Sequence, residues 1–272
     1  MSATESEAEL IERLRAERPR ALDLFCGAGG VSVGLARAGF DVSGVDLNPK
    51  LEKAWRLGME RHAPEGCVGE FHAADALTFS LEGYDFVWAS PPCQAYSIVT
   101  RIGGKQGSHA DLIPAMRRRM TLWQVTPPST FSPPLWCMEN VPGAPLHSPV
   151  VLCGASFGLG AQCEDGEYRP LKRHRLIESS WQLEPLPCSC DRSLKISVHG
   201  GSHRRVQALG VYGHGGQDRR SRGRRGGYQG SAAESRLALG IDWMGRDQLA
   251  QAIPPAYAEW IGKQAMRALG RP

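Results

Sequence analysis

Two prolines and then a cysteine interrupt an apolar run in Trp88-Ala89-Ser90-Pro91-Pro92-Cys93-Gln94-Ala95-Tyr96-Ser97. A thiol held on so stiff a turn is a candidate nucleophile, although a free cysteine is more often a small buried hydrophobe. A second polar group follows an apolar run in the same way: Leu135-Trp136-Cys137-Met138 ends in Glu139-Asn140. A third pattern, Arg173-His174-Arg175, puts two guanidinium groups at i and i+2, on one face of an extended segment. Thiol, carboxyl and paired cations are the parts of a covalent reaction in which charge develops on the substrate. Any one of them alone is an ordinary buried or solvated residue.

The elements that would hold these groups alternate between short apolar strands and helices. Tyr84 to Ala89 reads as a buried strand that must stop at Pro91, because proline cannot continue a ladder. Ala21 to Cys26 reads as a first strand, followed by Gly27-Ala28-Gly29-Gly30 and a helix that ends near Gly39. Strand, glycine turn and helix form the start of a nucleotide-type α/β unit, with free N–H groups facing a ligand. A second strand, Asp41 to Val45, ends in Asp46, about 20 residues after the turn, where an acid can accept ribose hydroxyls. A third, Cys67 to Phe71, has Asp75 beyond it, an acceptor suited to an adenine amino group. Ser32 stands where the dinucleotide fingerprint needs its third glycine, which counts against a nicotinamide enzyme. The Asp23-x-Phe25-x-Gly27-x-Gly29-Gly30 form is that of enzymes binding S-adenosylmethionine.

The flanking segments are of a different kind. Glu5 to Glu17 reads as a short amphipathic helix. Ser97 to His109 is polar, glycine-rich and basic, a lid in which Arg101 could reach phosphate. A helix begins after Asp111, with Arg117, Arg118 and Arg119 on its solvated side. The proline-rich stretch Thr126 to Pro134 is unusual before a central strand. From Ser180 to Glu234 the chain is rich in arginine and glycine, and it is expected to be irregular and anion-seeking. Regular structure resumes over Arg236 to Met244, and helices follow at Gln248 to Ala252 and Tyr257 to Leu269. The expected organisation is an N-terminal helix (1–20), a catalytic and cofactor domain (21–180), a short recognition region (181–235) and a closing segment (236–272).

Composition is that of a globular protein: 42% hydrophobic, 22% charged and a net charge of +4. No run of about 18 apolar residues is present to span a membrane, and the acidic N-terminus lacks an apolar signal core. The eight cysteines include no C-x-x-C pair, so reduced thiols in a cytoplasm are expected. Cys188-Ser189-Cys190 has no clear partner pair at zinc-ligand spacing, and no metal site is expected.

In this order the motifs resemble the cytosine-5 DNA methyltransferases. Asp23 to Gly30 is similar to the family's cofactor loop, Ser90 to Gln94 to its nucleophile loop and Glu139-Asn140-Val141 to its acid motif. Arg173-x-Arg175 is similar to its paired-arginine strand, and Gln251-Ala252-Ile253-Pro254-Pro255 to its closing motif. The likeness covers roughly Ala21 to Glu178 and Arg236 to Leu269, and the small size resembles phage or prophage members. The resemblance implies a doubly wound, mostly parallel α/β sheet of the Rossmann-like methyltransferase kind, with a small irregular target-recognition lobe. It implies S-adenosylmethionine as cofactor, held by Asp23, Phe25, Gly27, Gly29, Gly30, Asp46, Asp75, Pro92 and Gln251. Cys93, Glu139, Arg173 and Arg175 would be catalytic, and Gln94, Ser97, Arg101 and Asn140 would touch the substrate. It further implies a monomer acting on double-stranded DNA, without a membrane, in the cytoplasm of a bacterium or phage-infected host. A solitary phage enzyme and one half of a restriction–modification pair both fit.

The departures from the family pattern are Ser90-Pro91 for Gly-Phe, Leu171 for Gln, and Ala250-Gln251 for Gly-Asn. Two alternatives remain. One is the same chemistry on RNA; the other is a catalytically weak DNA-binding or decoy protein, if the proline-rich stretch spoils the strand bearing Glu139.

Overall fold

A computed structural model describes residues 18–96, 110–126, 134–188, 190, 209–210 and 228–271. The expected helix over Glu5 to Glu17, the basic loop 97–109, residues 127–133 of the proline-rich stretch and most of the Arg/Gly-rich stretch lie outside the described residues.

Strands β1 (Arg20–Leu24), β2 (Asp41–Asp46), β3 (Gly69–Ala73), β4 (Phe86–Ala89), β5 (Leu135–Asn140), β6 (Val150–Leu152) and β9 (Arg175–Ser179) form one sheet in the order β3-β2-β1-β4-β5-β9-β6. Pairing from β3 through to β5 is parallel, and β9 runs antiparallel between β5 and β6. Strands buried on both faces need apolar residues throughout, and β4 and the first four residues of β5 have them. Phe86, Trp88, Leu135 and Cys137 pack toward one face, while Val87, Ala89, Trp136 and Met138 pack toward the other. Each large side chain buried this way contributes roughly 1.5–3 kcal/mol, so the strand ends are firm platforms.

The first face is covered by α1 (Gly30–Arg37), α2 (Glu52–His62) and, from the far end of the chain, α4 (Ala232–Leu239), α5 (Arg246–Gln251) and α6 (Pro255–Ala268). Helix α1 lies so close to α6 that a Cβ at Gly34 would stand 2.3 Å from the Pro255 carbonyl oxygen. Only glycine allows that approach. The second face is covered by α3 (Ile113–Val125) through Ile113, Met116 and Met120. Two small ribbons complete the described structure: β7 (Gly160–Gln162) with β8 (Tyr168–Pro170), antiparallel, and β10 (Leu209–Gly210) with β11 (Tyr228–Gln229), parallel. No helix among the described residues is long and apolar enough to cross a membrane.

The fold corrects several boundaries. The third strand begins two residues late because Cys67 N–H is held in a turn by the Pro64 carbonyl at 3.1 Å. Helix α4 starts at Ala232, inside the expected recognition region, where Ser231 and Glu234 form a reciprocal capping box. Residues 181–187 also belong with the core. Leu183 is buried, Trp181 meets Phe86 edge-on at 5.8 Å, and Glu184 N–H donates to Gln264 Oε1 at 2.7 Å.

Of the α3 arginines only Arg118 is exposed as expected, while Arg117 and Arg119 are bound to the protein. Arg117 donates from Nε and Nη2 to the two oxygens of Glu178, each at 2.7 Å, and Nη2 also reaches the Pro145 carbonyl at 2.8 Å. Arg119 donates to the carbonyls of Ala76 and Phe79. Finally, the proline-rich stretch does not spoil the strand that follows. All six residues of β5 are buried, and the strand is paired on both sides.

Candidate active site

The parallel register explains why the chemistry collects at one edge. Trp88 lies opposite Cys137 and Ala89 opposite Met138, so the next step sets Ser90 beside Glu139. Trp88 Nε1 donates to Ser90 Oγ at 2.8 Å, and the Ser90 hydroxyl bonds the Glu139 carboxylate. On the other side, β9 places Ile177 opposite Glu139. Arg175, two residues earlier and therefore on the same face, sends its Nε to Glu139 Oε1 at 2.9 Å. Glu139 is thus enclosed, 5% exposed, between a hydroxyl and a guanidinium.

Its charge state follows from those neighbours. Burial pushes the Glu139 carboxyl up, and Arg175, Ser90 and Arg173 offset only part of that. A carboxylate raised this way, still paired with Arg175, takes up a proton and passes it on more readily than an exposed one does.

Cys93 follows the two prolines and is half-buried. Its thiol is also raised, by burial first and by the Glu139 charge second, while Arg175 and Arg173 pull it down. The expectation that cations or a following helix N-terminus favour the thiolate therefore needs correction. Residues 94–96 form a turn, closed by Tyr96 N–H to the Cys93 carbonyl at 3.0 Å, and burial outweighs the arginines. Pro92 and Gln94 flank the thiol at the surface. Ser97 and Arg101 lie outside the described residues.

Arg173 is not on the strand with Arg175. It precedes β9 and is buried, with Nη2 donating to the Ala250 carbonyl at 2.8 Å and its own carbonyl accepting from Tyr257 Oη at 2.6 Å. That ties the arginine segment to the end of α5, where Gln251 stands exposed. Asn140 was expected to touch substrate, and its position corrects this. It is 1% exposed; its Nδ2 donates to the Pro91 carbonyl at 2.9 Å and its Oδ1 accepts from Val141 N–H at 2.9 Å. One end of the amide holds the proline loop and the other holds the chain just after β5.

The expected cofactor residues divide in the same way. Gly27 takes φ +54°, and a Cβ there would meet nothing within 4 Å, so the turn leaves open space. Asp46 borders it, accepting from Gly27 N–H at 3.0 Å and Asn48 N–H at 2.9 Å. A carboxylate has about four lone-pair sites, so acceptor capacity remains for hydroxyls. Phe25, at φ +63°, forms the strand's last bend. Asp75 is exposed and uses Oδ1 to hold Leu77 N–H at 2.9 Å.

Gly29 and Gly30, by contrast, are buried by packing. A side chain would strike Trp55 at the first and the Ile253 carbonyl at the second. Asp23 is fully enclosed and accepts from Ser32 Oγ at 2.6 Å, and Ser32 accepts from Trp55 Nε1 at 2.7 Å. It reaches the glycine turn only through Ser32. Leu47, immediately after Asp46, was missed. It is 76% exposed, an apolar surface beside the Asp46 carboxylate, and its only signal in the sequence is a hydrophobic residue just past a strand end.

The expectation of no metal-binding set also needs correction. Cys153, His174, Cys188 and Cys190 converge, with all four donor atoms within 4.8 Å of one another.

Sheet order, glycine turn and acidic strand ends define the Rossmann-like fold of S-adenosylmethionine-dependent methyltransferases. A methyltransferase of Entamoeba histolytica, EhMeth, shares that fold over 93% of this chain and 99% of its own, at 11% identity and a TM-score of 0.50. A tRNA (uracil-54, C5)-methyltransferase of Pyrococcus abyssi aligns over 65% of this chain and 40% of its own, at 18% identity and a TM-score of 0.33. A comparison with curated proteins gives no match. Residues 20–148 match the family model of the C-5 cytosine-specific DNA methylases; over that stretch the chain is similar to the family, which supports a methyltransferase. S-adenosylmethionine is the methyl donor that this kinship carries, and the open turn at Gly27, the acceptors Asp46 and Asp75 and the apolar Leu47 fit it.

Proposed function

We propose that this chain is a DNA (cytosine-5-)-methyltransferase acting through a covalent bond between Cys93 and carbon 6 of a flipped-out cytosine. The observation that carries the reading is the convergence of Cys93, Glu139 and Arg175 at the carboxyl edge of adjacent strands. Carbon 5 of cytosine is a poor nucleophile. Addition of the Cys93 thiolate to carbon 6 pushes an electron pair toward carbon 5, and a proton from Glu139 to ring nitrogen 3 offsets the charge that builds there. Arg175, positioned by its bond to Glu139, is a fixed cation for the base carbonyl. The donor's sulfonium supplies the methyl group to carbon 5. Loss of the carbon 5 proton to a base then lets the Cys93 thiolate leave, and return of the nitrogen 3 proton to Glu139 restores the neutral ring.

A stacked base cannot offer its ring face to a thiol, so the target is flipped out. The Arg/Gly-rich stretch, with Arg204, Arg205, Arg219, Arg220, Arg222, Arg224 and Arg225, has the charge to hold the phosphates, and binding should weaken steeply with salt.

Bisulfite sequencing of DNA from cells expressing the chain tests the reading. Protected cytosines in one short motif are expected, absent with Cys93→Ala and reduced about 10²–10⁴-fold in rate with Glu139→Gln. Protection equal in wild type and Cys93→Ala would overturn the mechanism, and methylation found in RNA alone would move the substrate.

A further inference from the structure

Three separate segments meet at the β9–β6 edge of the sheet, and the register dictates how. Strand β6 pairs with β9 as Val150 with Ile177, Val151 with Leu176 and Leu152 with Arg175. One further step along the same antiparallel ladder sets Cys153 opposite His174. The third segment is brought in by the core packing of residues 181–187, and Ser156 Oγ donates to the Pro187 carbonyl at 2.8 Å. The next residue is Cys188. Its Sγ lies 3.3 Å from His174 Nε2, and Cys190 Sγ lies 3.4 Å from the same nitrogen and 2.8 Å from Cys188 Sγ.

We infer that Cys153, His174, Cys188 and Cys190 form a structural zinc site of the three-thiolate, one-imidazole type. A tetrahedral ion with Zn–S of about 2.3 Å and Zn–N of about 2.0–2.1 Å holds sulfur and nitrogen about 3.5 Å apart and two sulfurs about 3.8 Å apart. The sulfur–nitrogen distances of 3.3 and 3.4 Å lie close to that value, the two sulfurs at 2.8 Å would part by about 1 Å around an ion, and all four donor atoms already lie within 4.8 Å of one another. Four protein donors close the coordination, which leaves no position for water and makes the site structural rather than catalytic. Zinc binding replaces the thiol protons and releases them to solvent, with no change of oxidation state.

The site has a definite place in the molecule. His174 stands between Arg173 and Arg175, and its carbonyl accepts from Arg175 Nη1 at 2.9 Å. An ion on its ring would fasten the arginine segment to the edge strand β6. It would also fasten the start of the Arg/Gly-rich stretch, which follows Cys190 directly, to the rigid sheet.

Metal analysis of the purified full chain, prepared with reductant and zinc and then desalted, tests this without DNA or methyl donor, so its outcome is independent of the reaction proposed above. One zinc per chain is expected, retained in Cys67→Ser and lost in Cys188→Ser/Cys190→Ser. Cobalt substituted for zinc should give thiolate-to-cobalt charge-transfer absorption and tetrahedral ligand-field bands, a readout on the wild-type chain that decides the matter if the double variant does not fold. Wild-type protein that takes up neither metal would overturn the site, as would zinc content unchanged in a folded double variant, or a Cys188–Cys190 disulfide under reducing conditions.

Discussion

The sheet has two halves that are built differently, and the candidate active site lies on the seam between them. From β3 to β4 every strand is parallel, and each group of interest sits at the end of its own strand or just beyond it: Gly27, Asp46, Asp75 and Cys93. From β5 to β6 the antiparallel β9 intervenes, and the groups that meet are far apart in the chain. Glu139 meets Arg175, Arg117 meets Glu178, and Cys153 meets His174 and Cys188. In the first half a strand and its turn carry their own chemistry. In the second, chemistry exists only once the register is set.

The largest effect that would test this contrast lies at the buried pair Arg117–Glu178. The bidentate contact holds the Arg117 guanidinium above its ordinary value, chiefly through the Glu178 hydrogen bonds, and Glu178 Oε2 also accepts from His147 N–H at 2.8 Å. Arg117→Met leaves a buried carboxylate without its cation, which costs roughly 3–5 kcal/mol. Urea unfolding should show that loss near neutral pH. A loss below about 1 kcal/mol would mean that the pair behaves as an exposed one, and the second half would not depend on it.

Asp23 is the corresponding buried acid of the first half. Burial pushes its carboxyl up to about 7 from 3.8, and Oδ1 has no hydrogen-bond partner among the described residues. A folded-state value above the unfolded one means that the native chain keeps a proton the unfolded chain releases. Stability is therefore greatest below about pH 4 and falls as pH rises through about 7. Three units at about 1.36 kcal/mol each give roughly 4 kcal/mol as the upper scale of the effect. Asp23→Asn should flatten that slope in urea unfolding measured at pH 4, 6 and 8, since an amide still accepts from Ser32. An unchanged slope would show that the carboxyl is not the titrating group.

These residues also mark where the sequence was legible. The strands, the glycine turn, the Cys93 loop and the buried β5 could be read because each is a local run of apolar residues with a sharp end. The relation of Glu139 to Cys93 was readable for the same reason, since neighbouring parallel strands end at one edge. Asn140 was misread because its two hydrogen bonds reach Pro91, 49 positions away, and its own neighbour. Arg117 looked solvated because its partner lies 61 positions on. The cysteine and histidine set gave only the weak hint of Cys188-Ser189-Cys190, since Cys153 and His174 share no spacing with it until β6 and β9 align.

The smallest expected effect tests the seam itself. Cys93 comes from the first half, and the groups that set its charge come from the second. Glu139 raises the thiol, while Arg175 lowers it. Glu139→Gln removes the raising charge and keeps Arg175, so the rate of Cys93 alkylation by iodoacetamide should reach its plateau at lower pH than in wild type. Arg175→Met removes a lowering charge, and the same profile should move to higher pH. Methyl transfer should fall in both variants, so activity cannot tell them apart, whereas the alkylation profiles move in opposite directions. Only a thiol that feels both charges gives that result. Two profiles that stay in place, or move together, would mean that the halves do not meet electrically at Cys93.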